Sequence, residues 1–301
     1  MPSLKKLPHG RFNNRHRMPR QQQPDGIRLS YYTQLRKIAA RCSDLVRERV
    51  LSVLPDLLAQ VHPALESSHK SYHADADPSG RVVRLIRSIS EKIAKEVTQG
   101  KLIKIVSRIA SATSEHQKTQ LFRQIKAGTG VELSTIADRG LSARIKHFTA
   151  ENVSLIQSIP RDYLNDVEST LLSGMRDASR HEKLADEIEG LGDVSKNRAK
   201  LIARDQVGKF YGELNRVRQG ALGIDQFWWR DAGDERVRDA HKELAEGGPY
   251  EWADPPGDAD DPAVGSVPGE AIQCRCYAEP NLAPIMDELT GVDESDEISE
   301  D

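Results

Sequence analysis

The residues with chemistry to offer lie in the last quarter of the chain. They run Trp228-Trp229-Arg230-Asp231-Ala232-Gly233-Asp234-Glu235-Arg236-Val237-Arg238-Asp239-Ala240-His241 and are answered further on by Cys274-Arg275-Cys276. A metal is the first chemistry to weigh. His241, Cys274 and Cys276 form a soft N/S donor set, and Asp234 is the candidate fourth ligand. Zinc takes such donors in tetrahedral geometry and keeps one position open where it is catalytic. On a strand, cysteines one residue apart face the same way, so both thiols can address one ion. The spacing argues the other way, because structural zinc sites pair cysteines across two to four residues. No second cysteine pair exists in the chain. The expectation is therefore no obligatory cofactor, with zinc the candidate if one binds.

Phosphodiester cleavage is the second chemistry, with Asp234 or His241 as base and Arg236 and Arg238 facing a developing charge. No nucleophile is fixed, however, and on a helix Arg238 shares a face with His241 while Arg236 points elsewhere. A third reading is structural. Asp234 caps a helix starting at Glu235, His241 and Cys274 pack beneath Trp228 or Trp229, and arginine–carboxylate pairs hold the ends of a long loop. The residues favour this third reading, with no catalytic residue assigned.

The elements that must position the cluster are mostly helices. Leu35, Ile38, Cys42, Leu45, Val46, Val50, Val53, Leu57, Leu58 and Val61 follow helical spacing over 29–61, interrupted at Pro55. Residues 62–80 read as a linker. Helices follow over 82–100 and around Ile103, Val106 and Ile109, with shorter pieces at 117–126 and 142–148. Asn152–Ile159 reads as a short helix, and Pro160 as the first residue of the next, with Tyr163, Val167 and Leu171 as its stripe. A helix around Leu184 and Ile188 closes at Gly190 and Gly192. Ser195 then caps a longer one that ends at Gly223. Glu182 to Gln206 thus mimics a helix-turn-helix, with Ser195-Lys196-Asn197-Arg198 opening a helix that could face DNA. Strands are expected over 224–230 and 272–278, a short helix over 235–244, and a proline-rich loop over 247–268.

Composition agrees with a helical body. The chain has 301 residues, 38% hydrophobic, 30% charged and 5% aromatic, with a net charge of -3. That is lean for a compact α/β enzyme. The charge is lopsided: Lys5, Lys6, Arg11, Arg15, Arg17 and Arg20 form a basic arm over 1–27 that suits DNA or a protein partner. An acidic tail occupies 284–301. Both read as disordered, having little apolar surface to offset ordering. No secretory signal or membrane span is expected, and three cysteines make no disulfide framework, which points to a reducing cytoplasm. The fold class expected is α+β, predominantly α-helical. It comprises a helical N-terminal region over 28–148 and a small C-terminal α+β domain over 149–283.

The order of the C-terminal elements resembles the phage Mu F-like minor head proteins, also called head morphogenesis proteins. The matching series is Glu151-Asn152-Val153, Ser158-Ile159-Pro160 and Tyr163; Ser195 to Asp205; Asn215 and Arg218; Phe227-Trp228-Trp229; Asp234 to Arg238 with His241; Pro268-Gly269; and Cys274-Arg275-Cys276 with Pro280. After His241 the chain departs from the usual pattern. Leu244, Gly247 and Tyr250 are stretched apart, and the acidic insert Asp258-Ala259-Asp260-Asp261 follows. The resemblance implies a tailed-phage or prophage head component made in the host bacterial cytoplasm and placed in the virion head. Its implied partners are the portal, the capsid and scaffold proteins, and phage DNA, with no membrane. It implies a role in head assembly, DNA packaging or DNA delivery, rather than an enzyme. A metal-dependent nuclease and a DNA-binding adaptor stand as the alternatives.

Overall fold

A computed structural model describes residues 18–61, 77–136 and 140–290. It is α+β and predominantly α-helical, as expected. Helix α1 (Asp25–Arg49) buries Tyr31, Leu35, Ile38, Cys42 and Leu45, one residue per turn. A single 3-10 turn, Leu51–Val53, leads into α2 (Leu54–Val61). Pro55 is the second residue of α2, where its missing N–H costs nothing, so the interruption falls just before it. Of the expected linker, 62–76 lie outside the described residues. Asp77 then caps α3 (Pro78–Glu96), accepting the Gly80 N–H at 2.8 Å.

Three helices are longer than the sequence suggests. The pieces expected from Ile103 to Lys126 are one helix, α4 (Gln99–Thr129). It ends at Gly130, whose φ of 73° suits a glycine stop. Helix α5 (Leu141–Arg176) runs through Pro160 rather than starting there. The ring removes one backbone bond, but Val153, Ile156, Ile159, Tyr163, Val167 and Leu171 bury a continuous face on both sides of it. Helix α6 (His181–Ala221) runs through Gly190, Gly192 and Ser195. Each helical glycine costs about 1 kcal/mol relative to alanine. Burial of Leu184, Ile188, Ala199 and Ile202 along the same helix outweighs this. Ser195 is thus a buried mid-helix residue and not a cap. The helix-turn-helix reading falls, since Glu182 to Gln206 contains no turn.

The chain divides into two compact units. One comprises 26–110 and 145–206, and its core joins Cys42, Leu45, Leu54, Leu57, Ile86, Ile89, Val167 and Leu171 with their neighbours. Inside it the Tyr31 hydroxyl donates to Asn152 Oδ1 at 2.9 Å, and the Asn152 amide donates to Gln206 at 3.0 Å.

The other unit comprises 1–25, 111–144 and 207–301 and contains the aromatic and cysteine cluster. Its sheet has three antiparallel strands in the order β2-β1-β3: β1 (Gln226–Arg230), β2 (Tyr250–Glu251) and β3 (Tyr277–Pro280). Strand β1 alternates, burying Phe227 and Trp229 while Trp228 is half-exposed. Strand β3 starts later than expected because Ile272 and Gln273 form a turn, and Gln273 adopts a φ of 58°. Helix α7 (Asp239–Glu246) likewise starts four positions after the expected Glu235. Helix α8 (Ala283–Thr290) occupies the start of the expected acidic tail, and 291–301 lie outside the described residues. Half-buried Ile285 of α8 packs on Leu121, Ile125, Ile224 and Leu282. The arm is corrected too. Residues 18–24 are ordered, Gln21 is buried, and α1 begins at Asp25. Lys5, Lys6, Arg11, Arg15 and Arg17 lie outside the described residues.

Candidate metal centre and buried polar network

Trp229 of β1 is fully buried, and its ring lies 5.4 Å from that of His241, tilted by 59°. His241 projects inward from the first turn of α7 and is 1% exposed. Its Nε2 lies 3.0 Å from the Val264 carbonyl oxygen. That oxygen only accepts, so Nε2 carries the proton and the Nδ1 lone pair faces inward. There it meets Cys276 Sγ at 3.4 Å and Cys274 Sγ at 3.7 Å. The three donor atoms lie within 4.8 Å of one another, and all three side chains are buried. The two thiols share one proton's worth of stabilisation. The hydrogen bond from Cys276, followed by that from His241, pushes Cys274 down, while the same contact and burial push Cys276 up. Contact with Cys274 raises His241 above its ordinary pKa.

Asp234 does not join this group. Its carboxylate receives Arg275 through both guanidinium nitrogens at 2.5 Å, and Arg236 at 3.0 Å. The Arg275 fork holds its pKa well below the usual carboxylate range. The fourth-ligand and helix-cap roles expected for Asp234 are therefore both corrected. It fastens the turn before α7 to the Cys274–Cys276 segment instead. Arg238 reaches across to the Ile272 carbonyl at 2.8 Å, and Arg230 lies 5.5 Å over the Trp228 ring while pairing with Glu279 at 2.7 Å. Arg236, Arg238 and His241 border a cavity of about 20 Å³ next to the thiols. Asp234, Arg236, Arg238 and His241 do not converge as a cleavage site would require. The carboxylate is neutralised, and the imidazole faces sulfur.

A second constellation was not foreseen as a site. Arg218 of α6 is fully buried and donates to the Ser114 carbonyl at 2.6 Å, to Gln117 Oε1 at 2.7 Å and to Ser114 Oγ at 2.8 Å. Gln117 passes its amide to Asn215 at 2.7 Å, and Asn215 donates to Gln21 at 2.9 Å. The Tyr211 hydroxyl also donates to Gln21, at 2.9 Å. Gln219 links the network's helix to the sheet, donating to the Ala278 carbonyl at 3.0 Å and accepting from Trp252 Nε1 at 3.2 Å. The sequence signal was the i, i+4 spacing of Tyr211, Asn215 and Gln219 on one face of α6, polar residues where a helix this long would bury apolar ones. Arg20 lies outside this network, exposed beside Gly233 and bordering a cleft of about 600 Å³ with Arg230, Lys242 and Glu279.

These elements agree with known proteins over one stretch. A family model described as Phage Mu protein F like protein matches residues 165–279. Over that stretch the chain is similar to the Mu F-like family. It takes in α6, the polar network's Asn215 and Arg218, strand β1, and the His241, Cys274 and Cys276 cluster. An uncharacterized protein of Haemophilus influenzae is 28% identical over 250 residues, which is 82% of this chain and 54% of that protein. The chain thus spans about half the length of this curated relative. No solved structure matches it.

Within the matched stretch, Gly212 backs the Pro268-Gly269 segment that leads to the cysteines. A Cβ there would stand 2.7 Å from the Pro268 carbonyl oxygen, next to Gly269. Gly→Ala in a helix ordinarily gains about 1 kcal/mol. Here the backbone contact reverses the sign. Gly212→Ala is expected to destabilise by about 1–3 kcal/mol, read as a lower urea midpoint.

Proposed function

We propose that the protein is a minor head component of a tailed phage or prophage, bound at the portal vertex. It would act through protein contacts in head assembly, DNA packaging or DNA delivery and catalyse no reaction. The match of residues 165–279 to the Mu F-like family carries this reading. One feature of the molecule supports it. The charged residues of the cluster are spent on fixing loops: Asp234 on Arg275 and Arg236, and Arg238 on the Ile272 carbonyl. Among the described residues no helix is long and apolar enough to cross a membrane.

Portal is the proposed principal partner, with capsid and scaffold proteins and phage DNA as neighbours in the head. The test is co-expression with the portal protein of the same phage or prophage, followed by affinity capture of tagged portal and size-exclusion chromatography. Co-elution is expected, resisting moderate salt if apolar contact dominates and lost at high salt if charge does. Free elution of the two proteins at micromolar concentration would overturn the portal assignment.

A further inference from the structure

We propose that His241 Nδ1, Cys274 Sγ and Cys276 Sγ form a zinc site whose fourth position opens on a water-sized cavity. Distance is the first argument. Tetrahedral zinc with Zn–S of about 2.3 Å and Zn–N of about 2.0 Å sets sulfur and nitrogen about 3.5 Å apart. The two S···Nδ1 distances are 3.4 and 3.7 Å. Direct hydrogen bonding explains one of them but not both, because Nδ1 has a single lone pair for two thiols. One ion at the centre satisfies all three atoms.

The surroundings are the second argument. Metal-bound histidines donate their other ring N–H to a carbonyl or carboxylate, and Nε2 does this to Val264. Bound thiolates gather N–H donors, and Cys274 Sγ receives the backbone N–H of Cys276 at 3.4 Å, with Gly269 as a further donor. The Trp229 indole nitrogen is buried with no nitrogen or oxygen partner, and it faces the Cys276 sulfur. A thiolate there gives that stranded donor an acceptor. Gln273, immediately before the first cysteine, holds a left-handed φ of 58°, a strain that aims Cys274 inward.

Charge and size complete the case. Two thiolates balance one divalent cation, so the buried site is neutral once the thiol protons are released. Carbon and sulfur surround it in a small core of Phe227, Trp229, Trp252, Ala271 and Ala278. A core this small gains most from a staple. The ion would join α7 to the segment before β3. The cavity of about 20 Å³ beside the sulfurs has room for one water as the fourth ligand.

The experiment uses the full chain, reduced, desalted and equilibrated with Zn²⁺ or Co²⁺. Elemental analysis is expected to give one zinc per chain, and the cobalt form a thiolate charge-transfer band with intense visible absorption. Cys274→Ser and Cys276→Ser each lose stoichiometric zinc, while Cys42→Ser, altered in the other unit, retains it. Trp229→Phe keeps the ring but not the N–H donor, and it is expected to weaken zinc binding about 10–100-fold. Alkylation of the unmutated chain provides a readout free of folding artefacts. Zn²⁺ should slow iodoacetamide labelling of Cys274 and Cys276 at least tenfold. Absence of zinc after loading, no thiolate–cobalt band, or labelling rates unchanged by Zn²⁺ would each overturn the site. None of these outcomes depends on portal binding, so the two proposals fail separately.

Discussion

Trp229→Ala is expected to lower the stability of its unit by about 3–5 kcal/mol, the range for emptying a fully buried aromatic site. The side chain has no exposed surface and packs with Phe227, Trp252 and the two cysteines. The sheet around it is minimal: β2 has two residues and β3 has four. Urea unfolding followed by the remaining tryptophans reads the effect as a fall in midpoint. A loss below about 1 kcal/mol would mean that Trp229 is peripheral to the core. Trp228→Ala is the internal control. Its ring is half-exposed under Arg230, so it should cost far less.

Arg218→Met is expected to cost about 3–5 kcal/mol, for a different reason. Methionine fills much of the volume but leaves Ser114 Oγ and Gln117 Oε1 buried without the guanidinium donor. Each stranded acceptor costs about 1–3 kcal/mol. Arg218→Lys should recover less than half, since one ammonium cannot reproduce the guanidinium fork. Removing the acceptors as well, with Ser114→Ala and Gln117→Leu, should restore part of the loss, because an apolar replacement of a whole network can be nearly neutral. Denaturation of the three variants under one condition separates the cost of a stranded group from the cost of lost volume. If Arg218→Met alone is neutral, the network is not what fastens α6 to α4.

The cluster and its membership were legible in the sequence, but its geometry was not. Trp229, His241, Cys274 and Cys276 do meet in the core. The cysteines lie on the irregular segment between the turn at Ile272 and Gln273 and strand β3, and not on the expected strand. The i, i+2 thiols converge because Gln273 turns the chain just before them. Asp234 read equally well as cap, ligand or base, since a carboxylate serves all three. Its choice of Arg275 depends on a contact across 41 residues that local pattern does not encode.

Helix existence was legible from apolar spacing, while helix ends were misread wherever glycine, serine or proline stood inside a well-packed face. Pro160, Gly190, Gly192 and Ser195 are local breakers that long buried stripes override. The polar network was hidden for the opposite reason. Gln21, Gln117, Asn215 and Arg218 look like surface residues until the fold brings them together.

The most direct test of the head assignment is where the protein resides. Induce the prophage or infect with the phage that encodes it, purify heads on a density gradient, and quantify the chain against capsid and portal by mass spectrometry. A few copies per head are expected in portal-containing particles, with the protein lost from heads assembled without portal. Its absence from purified heads, with full infectivity after deletion of its gene, would contradict the account.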